Sequence, residues 1–404
     1  MTRRVVVWAT GTVGKHAIKG VDAHPDLELV GVWVSSEAKE GKDAGQLAEL
    51  GRDLGVLATN DKQAIWDLKP DAIVHTAMTD DRVFESIEDL KDIVRHGINV
   101  VSSGPVVLCF PFELGLAKQI AGIEEACAEG GASLHVNGID PGFANDVLPL
   151  VGSSLCQRID LLRVSEIADY STYYQPVVMR DLFGFGQPLE ADALLWTPGI
   201  LTMAWGPVVR ALADGLGVEL DPELIEDVQK APTDRDLETL SVNAAAGTMG
   251  AVKFTVTGTV NGTPRIVLEH VTRLAADLCP EWPQPTGGDG CYRIEYVGEP
   301  MMTIDLMHHG EFGDHNVSGM IITAQRLINA VPAVCDAGAR LGPGQGSDVS
   351  DRSWIGESLA HGVDPTRSHP GCSGRAPDAP ALADGRPAGG QRLCDRDRIR
   401  IDLD

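Results

Sequence analysis

A chain of 404 residues with 43% hydrophobic content is long enough to bury two cores, and a formal charge of −25 leaves no positive footprint for nucleic acid or an anionic membrane surface. The eight cysteines are scattered without a C-x-x-C spacing, so neither a disulfide framework nor a metal site is expected, and reduced thiols in a cytoplasmic protein are. No apolar run approaches the roughly 18 uninterrupted residues of a membrane span, and the run Val5 to Trp8 is too short for a signal peptide.

From residue 1 to about 145, short β-branched runs alternate with helical segments, the pattern of βαβ units in a doubly wound parallel sheet. Strands are expected at Val5–Trp8, Leu27–Val34, Ala72–Thr76, Asn99–Ser102 and Ser133–Val136, with helices at Val13–His24, Arg82–His96 and Leu114–Glu129. From 146 to 320 strands dominate: Arg158–Ile167, Gly250–Val260, Arg265–Arg273, Cys291–Tyr296 and Met301–Leu306, around a helical insert between about 190 and 240. Asn261-Gly262 between two of them supplies the positive φ angles of a tight hairpin. The fold class is therefore α/β, a Rossmann domain followed by an α+β, mostly antiparallel domain for substrate contacts and dimerisation. A helix over Ile321–Val334, within residues 321–336, is expected to return to the first domain. Residues 337–404 are rich in Gly and Pro and lack hydrophobic periodicity, which reads as a solvated tail or as out-of-frame translation beginning near Ala337.

The first strand runs into Ala9-Thr10-Gly11-Thr12-Val13-Gly14, a strand-to-helix turn where small residues let backbone N–H groups approach a pyrophosphate. Ala9 stands where the usual G-x-G-x-x-G has its first glycine. After the second strand, Ser35, Ser36 and Lys39 favour a 2′-phosphate and hence NADP(H), while Glu37 leaves NAD(H) open. Ala77 and Met78 at one strand end, Ser102 and Ser103 at the next, and Asn137 after a third are placed along the cofactor.

The segment Gly138-Ile139-Asp140-Pro141-Gly142-Phe143, followed by Asp146 and Leu148-Pro149, resembles the dihydrodipicolinate reductase-like superfamily, in particular its 2,4-diaminopentanoate dehydrogenase and native amine dehydrogenase branch. The resemblance covers roughly residues 1 to 335, including Thr323-Ala324-Gln325-Arg326-Leu327-Ile328-Asn329-Ala330-Val331-Pro332. It implies hydride exchange with a C=N bond, a homodimer built on the second sheet, and a small-molecule substrate. Two departures stand out. The histidine pair and lysine of the reductases proper are replaced by Ser165-Glu166-Ile167-Ala168-Asp169-Tyr170-Ser171-Thr172, which argues against the lysine-pathway reaction. The glutamate that the amine dehydrogenases carry just after the Ser102-Ser103 strand is replaced by Gly104-Pro105-Val106-Val107.

The remaining candidates for the proton donor are Glu166 and Asp140, then Asp169, Tyr173 and Tyr174; Glu166 has a rival reading as a solvated or salt-bridged acid and Asp140 as a turn residue before Pro141. Gly142, Phe143, Tyr173 and Tyr174 are expected to meet substrate, and Tyr170 with Phe183-Gly184-Phe185 to line an apolar pocket that favours a weakly polar molecule. His308 and His309, on a strand, would point to opposite faces. The leading function is an NAD(P)H-dependent oxidoreductase acting on an imine, amine or carbonyl carbon. Its rivals are a semialdehyde-type dehydrogenase with Cys109 or Cys127 as nucleophile and a non-catalytic NADP(H) sensor.

Overall fold

The computed structural model describes residues 2–111, 116–311 and 314–342. Its first half comprises β1 (Arg3–Trp8), α1 (Thr12–Ala23), β2 (Leu27–Trp33), α2 (Ala44–Leu47), β3 (Ala58–Thr59), α3 (Lys62–Asp67), β4 (Ala72–His75), α4 (Val83–Arg95), β5 (Asn99–Ser102), α5 (Ala117–Gly130) and β6 (Leu134–Val136). Then follow α6 (Val147–Ser153), β7 (Arg158–Asp169), α7 (Ile200–Leu216), β8 (Ile225–Pro232), β9 (Leu237–Glu238), β10 (Asn243–Ala244), β11 (Met249–Val260), β12 (Thr263–Arg273), β13 (Gly290–Glu299), β14 (Met302–Leu306), α8 (His315–Asp336) and β15 (Leu341–Gly342).

The first sheet has seven strands in the order β15-β6-β5-β4-β1-β2-β3, all parallel. Val5, Val6 and Val7 are wholly buried, as a central strand covered on both faces must be, and this explains the unbroken β-branched run of β1. One face packs under α4 and α5; the other carries α1 and α8, whose Ala324, Leu327, Ile328, Val331 and Val334 join Val5, Val7 and Ile18 in a common core. Helix α8 is long and apolar enough by composition to cross a membrane, and here that apolar face covers the Rossmann sheet. β15 was not expected. Residues 337–342 continue the fold, with Leu134 N–H donating to Arg340 O and Ser133 Oγ to Gly338 O, so the ordered chain runs past residue 336. The remainder of the expected tail, 343–404, lies outside the described residues, as does Leu114, the expected start of α5.

The second sheet has six strands in the order β14-β13-β7-β12-β11-β8 and is antiparallel except for the β7–β12 pair. The β11–β12 hairpin turns on Asn261 and Gly262 at φ +51° and +75°. One face is filled by α7 and the aromatic side chains before it. The helical insert expected over 190–240 is shorter: helix ends at Leu216, where Gly217 adopts φ +67°, and Ile225–Pro232 forms the edge strand β8. Its burial alternates along IEDVQKAP, with acids and the lysine interleaved, a pattern that hides a strand from apolar periodicity. His308 and His309 lie in the loop after β14 rather than on a strand; His308 is half-buried and His309 exposed.

Candidate active site

At the end of β1, Ala9 has φ +78°, a left-handed conformation that costs a residue with a Cβ about 1 kcal/mol. Its N–H donates to Trp33 O at 2.9 Å, and the Thr76 hydroxyl reaches Trp8 O and Ala9 O at 3.1 and 3.2 Å, so the turn is tied to the ends of β2 and β4. A Cβ on Gly14 would overlap Ala9 O, whereas a Cβ on Gly11 would meet no atom within 4 Å. Gly14 thus lets α1 sit against the turn, and Gly11 leaves room in the cleft above it. Gly11 caps α1 without a side-chain acceptor, which leaves the first-turn N–H groups for an anion. Lys39 Nζ lies 3.1 Å from Thr10 O and 3.0 Å from Thr10 Oγ1, and Ser35 and Ser36 are exposed beside it.

A cleft of about 360 Å³ runs from Gly11, Thr12 and Val13 past Thr76, Ala77, Met78 and Ser103 to Tyr292, His315 and Asn316 of the second half. A second cavity of about 210 Å³ adjoins it, walled by Val107, Leu182, Phe183, Leu195, Ile200, Met203 and Trp205. Asp80, Val106, Asp140, Glu166, Tyr170 and Tyr173 line both. Among the described residues, no lysine or arginine lines either space.

The acids at this junction are held by the second sheet. Along β7, Leu162, Val164, Glu166 and Ala168 share the face that packs beneath α7, so Glu166 is an acid in an otherwise apolar row and is 6% exposed. Parallel pairing sets His270 of β12 beside it, and antiparallel pairing sets Tyr292 of β13 on its other side. His270 Nε2 lies 3.3 Å from Glu166 Oε2, and the Tyr170 hydroxyl donates to Glu166 Oε1 at 2.6 Å. His270 Nδ1 is 2.8 Å from Thr272 Oγ1, and its ring stacks on Phe254 at 5.0 Å. Asp140, from the loop between β6 and α6, accepts from Trp205 Nε1 at 3.2 Å. Side-chain nitrogen and oxygen atoms of Asp140, Glu166 and His270 all lie within 4.8 Å of one another, and they are engaged in hydrogen bonds among themselves.

Burial and then the neighbouring Glu166 charge push Asp140 up to about 8. Burial also acts to raise Glu166, but the His270 cation with its hydrogen bond and the Asp140 and Tyr170 donors outweigh it and hold Glu166 well below the usual range. Burial pulls His270 down, and the Glu166 charge reverses this so that the imidazolium is favoured. Burial raises Tyr170, Tyr173 and Tyr292, which stay neutral phenols.

Of the residues singled out from sequence, Gly11, Thr12, Val13, Ala77, Met78, Ser103, Asp140, Glu166, Tyr173 and Tyr174 are brought to the cleft. Five others serve the fold around it. Ser102 is buried, its Oγ bonded to Gly104 O at 2.5 Å and 2.9 Å from His75 Nδ1. Asn137 joins Arg326 to Asp146 through contacts of 3.0 and 2.9 Å. Thr10 is buried under Lys39, Gly142 closes a turn with φ +151° against the backbone of Gly138, and Phe143 lies beneath the Arg326 guanidinium at 5.9 Å. Glu166 is no strand-end surface acid but a buried member of β7, and Asp140 faces the cavity rather than only closing a turn. Asp169 instead caps Ser171 N–H at 2.8 Å. His270, Trp205 and Asp80 were not anticipated. The alternation Ile266-Leu268-His270 on β12 carried a signal, an imidazole on the core face, but only the β7–β12 register gives it its partner.

A Rossmann sheet with an open helix N-terminus over its cleft, joined to a second sheet that lines the cleft's far wall, defines an NAD(P)-dependent oxidoreductase. The dihydrodipicolinate reductase N-terminal family matches residues 2–102. The amine dehydrogenase of Streptomyces virginiae is 42% identical over 334 residues, 82% of this chain and 92% of that protein. The 2,4-diaminopentanoate dehydrogenase of Acetoanaerobium sticklandii is 24% identical over 64% of this chain and 69% of its own. The structure of an amine dehydrogenase from Mycobacterium smegmatis superposes with a TM-score of 0.68 at 20% identity, covering 84% of this chain and 94% of that one. The chain belongs to the amine dehydrogenase branch of the dihydrodipicolinate reductase-like proteins.

Proposed function

We propose that this protein oxidises the amine-bearing carbon of a small, weakly polar primary amine with NADP+ or NAD+, and runs the reverse reductive amination of the carbonyl with ammonia. The observation that carries this reading is the pairing of half-buried Asp140 with buried Glu166 at the junction of a dinucleotide cleft and an apolar cavity. An ionised carboxylate in that place meets an ammonium or iminium cation, and acids from β7 and the loop after β6 would take the role that the resemblance gives to a glutamate after β5. Because no described lysine or arginine lines the cavities, a substrate carboxylate would lie unpaired beside two acids, which favours a simple amine over an amino acid.

The residues fit the cofactor. The N–H groups of Gly11, Thr12 and Val13 would hold the pyrophosphate, Ser35, Ser36 and Lys39 the adenine ribose with its 2′-phosphate, and Ala77, Met78 and Ser103 the nicotinamide half. The bound nicotinamide supplies a hydride acceptor at its ring carbon para to nitrogen. In balance, one protonated amine, one NAD(P)+ and one water give one carbonyl compound, one ammonium ion, one NAD(P)H and one proton. The carbon bearing nitrogen loses its hydrogen with the bonding electron pair, and water oxygen then replaces nitrogen on that carbon. Within this reaction Glu166 holds the nitrogen cation, Asp140 exchanges protons with the nitrogen and with the attacking water, and Phe183, Met203 and Trp205 enclose the apolar substituents and exclude bulk water. Neither Cys109 nor Cys127 lines either cavity, and burial raises both thiols, which disfavours the semialdehyde chemistry.

A panel of primary amines, amino acids and ketones, the last with and without ammonia, tests this reading by cofactor absorbance. Turnover of apolar amines and ammonia-dependent turnover of ketones is expected. Turnover of ketones without ammonia, or tight NADPH binding with no turnover of any amine, overturns it.

A further inference from the structure

Two carboxyls in hydrogen-bonding reach of each other, Glu166 buried and Asp140 half-buried, resist double ionisation, so the second proton leaves only at raised pH, and their surroundings are unequal. Glu166 is ringed by donors: His270 on Oε2, Tyr170 on Oε1, and Tyr292 from the neighbouring strand. Asp140 receives the Trp205 indole and is approached by Asn145. His270 is itself braced, Nδ1 against Thr272 Oγ1 and the ring face against Phe254, so its Nε2 has one direction to point.

We infer that His270 is a positioning residue that divides a single proton unequally between the two acids, holding Glu166 ionised and leaving Asp140 as the group that takes and returns protons. A cationic His270 donates from both ring nitrogens, to Thr272 and to Glu166. In amine oxidation the ionised Asp140 accepts a proton from the substrate ammonium, freeing the nitrogen lone pair that drives loss of hydride from the adjacent carbon. In the reverse direction the protonated Asp140 returns it. The groups that face the cluster leave this division standing. Tyr170, Tyr173 and Tyr292 remain neutral, burial lowers His315 of α8 against the opposing Glu166 charge, burial and then His315 lower His308, and burial followed by Asp81 raises Asp80. Asp140 therefore titrates near 8, within the range in which a group can act as acid in one direction and base in the other.

The kinetic arm of the test rests on the amine reading; a spectroscopic arm does not. In the variant His270→Gln, the ascending limb of kcat/KM for amine oxidation is expected to move to higher pH by at least about 1, because the cation that favoured ionisation of the pair is gone. A purely structural role lowers the rate at every pH and leaves the limb in place, which overturns the inference. Infrared difference spectra of the full-length wild-type protein, carboxyl-labelled with 13C, supply the second measurement even if the histidine variant does not fold. One protonated carboxyl is expected to persist at pH 7, to titrate near 8, and to vanish in Asp140→Asn. Absence of that band at pH 7, or its survival in Asp140→Asn with loss in Glu166→Gln, overturns the assignment. A protein that shows the band and oxidises no amine refutes the proposed substrate while the proton assignment stands.

Discussion

His270 and Glu166 stand side by side on adjacent parallel strands, and their side chains meet at 3.3 Å inside the apolar face of the second sheet. Burying that pair is tolerable because each partner cancels the other's charge and the remaining lone pairs and protons find Tyr170 and Thr272. Replacing one partner leaves the other buried and unpaired. Glu166→Gln is therefore expected to reduce thermal stability by up to about 3 kcal/mol and kcat/KM for amines by about 10² or more, with the Kd for NADPH unchanged. Thermal melts, steady-state kinetics and cofactor fluorescence titration check the three parts; a variant with wild-type kcat/KM would remove Glu166 from the site.

The pH profile has a sign fixed by Asp140. Its carboxyl is raised to about 8, so it is protonated below that pH and ionised above it. Amine oxidation, which uses the ionised form, should rise through pH 8, and reductive amination, which uses the acid, should fall through the same pH. Asp140→Asn mimics the protonated form, should fold normally at pH 7, and should abolish both limbs.

Cofactor choice is expected to depend on Lys39. Its ammonium already rests on Thr10, beside exposed Ser35 and Ser36, so a 2′-phosphate gains a cation that needs little reordering. Lys39→Ala should weaken NADPH binding by about 10-fold, equivalent to about 1.4 kcal/mol, and leave NADH binding within about 2-fold. Equal loss for both cofactors would assign Lys39 to the turn alone.

The turn itself separates strain from sterics. Ala9→Gly relieves a left-handed residue and should raise stability by about 1 kcal/mol without loss of cofactor affinity. Gly14→Ala forces a methyl into Ala9 O and should abolish cofactor binding. Calorimetry and fluorescence titration distinguish the two.

The apolar cavity sets substrate size. Met203→Ala removes part of its wall on α7 and should shift the preference toward amines with a longer side chain, a change of about 10-fold in relative kcat/KM, since a methylene or two is worth about 1–3 kcal/mol in such a pocket. Competition between short and long amines measures it.

The Rossmann half was legible from residue order because its information is local. The Val5–Trp8 run, the Ala9–Gly14 turn and the helix stop at Gly97 each act within a few residues, and the structure places them within a residue or two of expectation. Edge elements were not: β8 alternates charged residues, and β15 is two residues long and needs β6 as a template. At the site, sequence nominated Asp140 and Glu166 as acids but left open whether they were surface and turn residues, because an acid's role depends on what surrounds it.

What the sequence determined by itself was a chain that folds around a dinucleotide turn and carries candidate acids in its second half. Tertiary structure decided which acids meet and which one holds the proton. That decision lies in the parallel pairing of β7 with β12, which joins residues more than a hundred positions apart and sets His270 next to Glu166. Hydrogen-bond register between distant strands, and the loss of water around the acids they bring together, are properties of the folded sheet, and no local stretch of the chain encodes them.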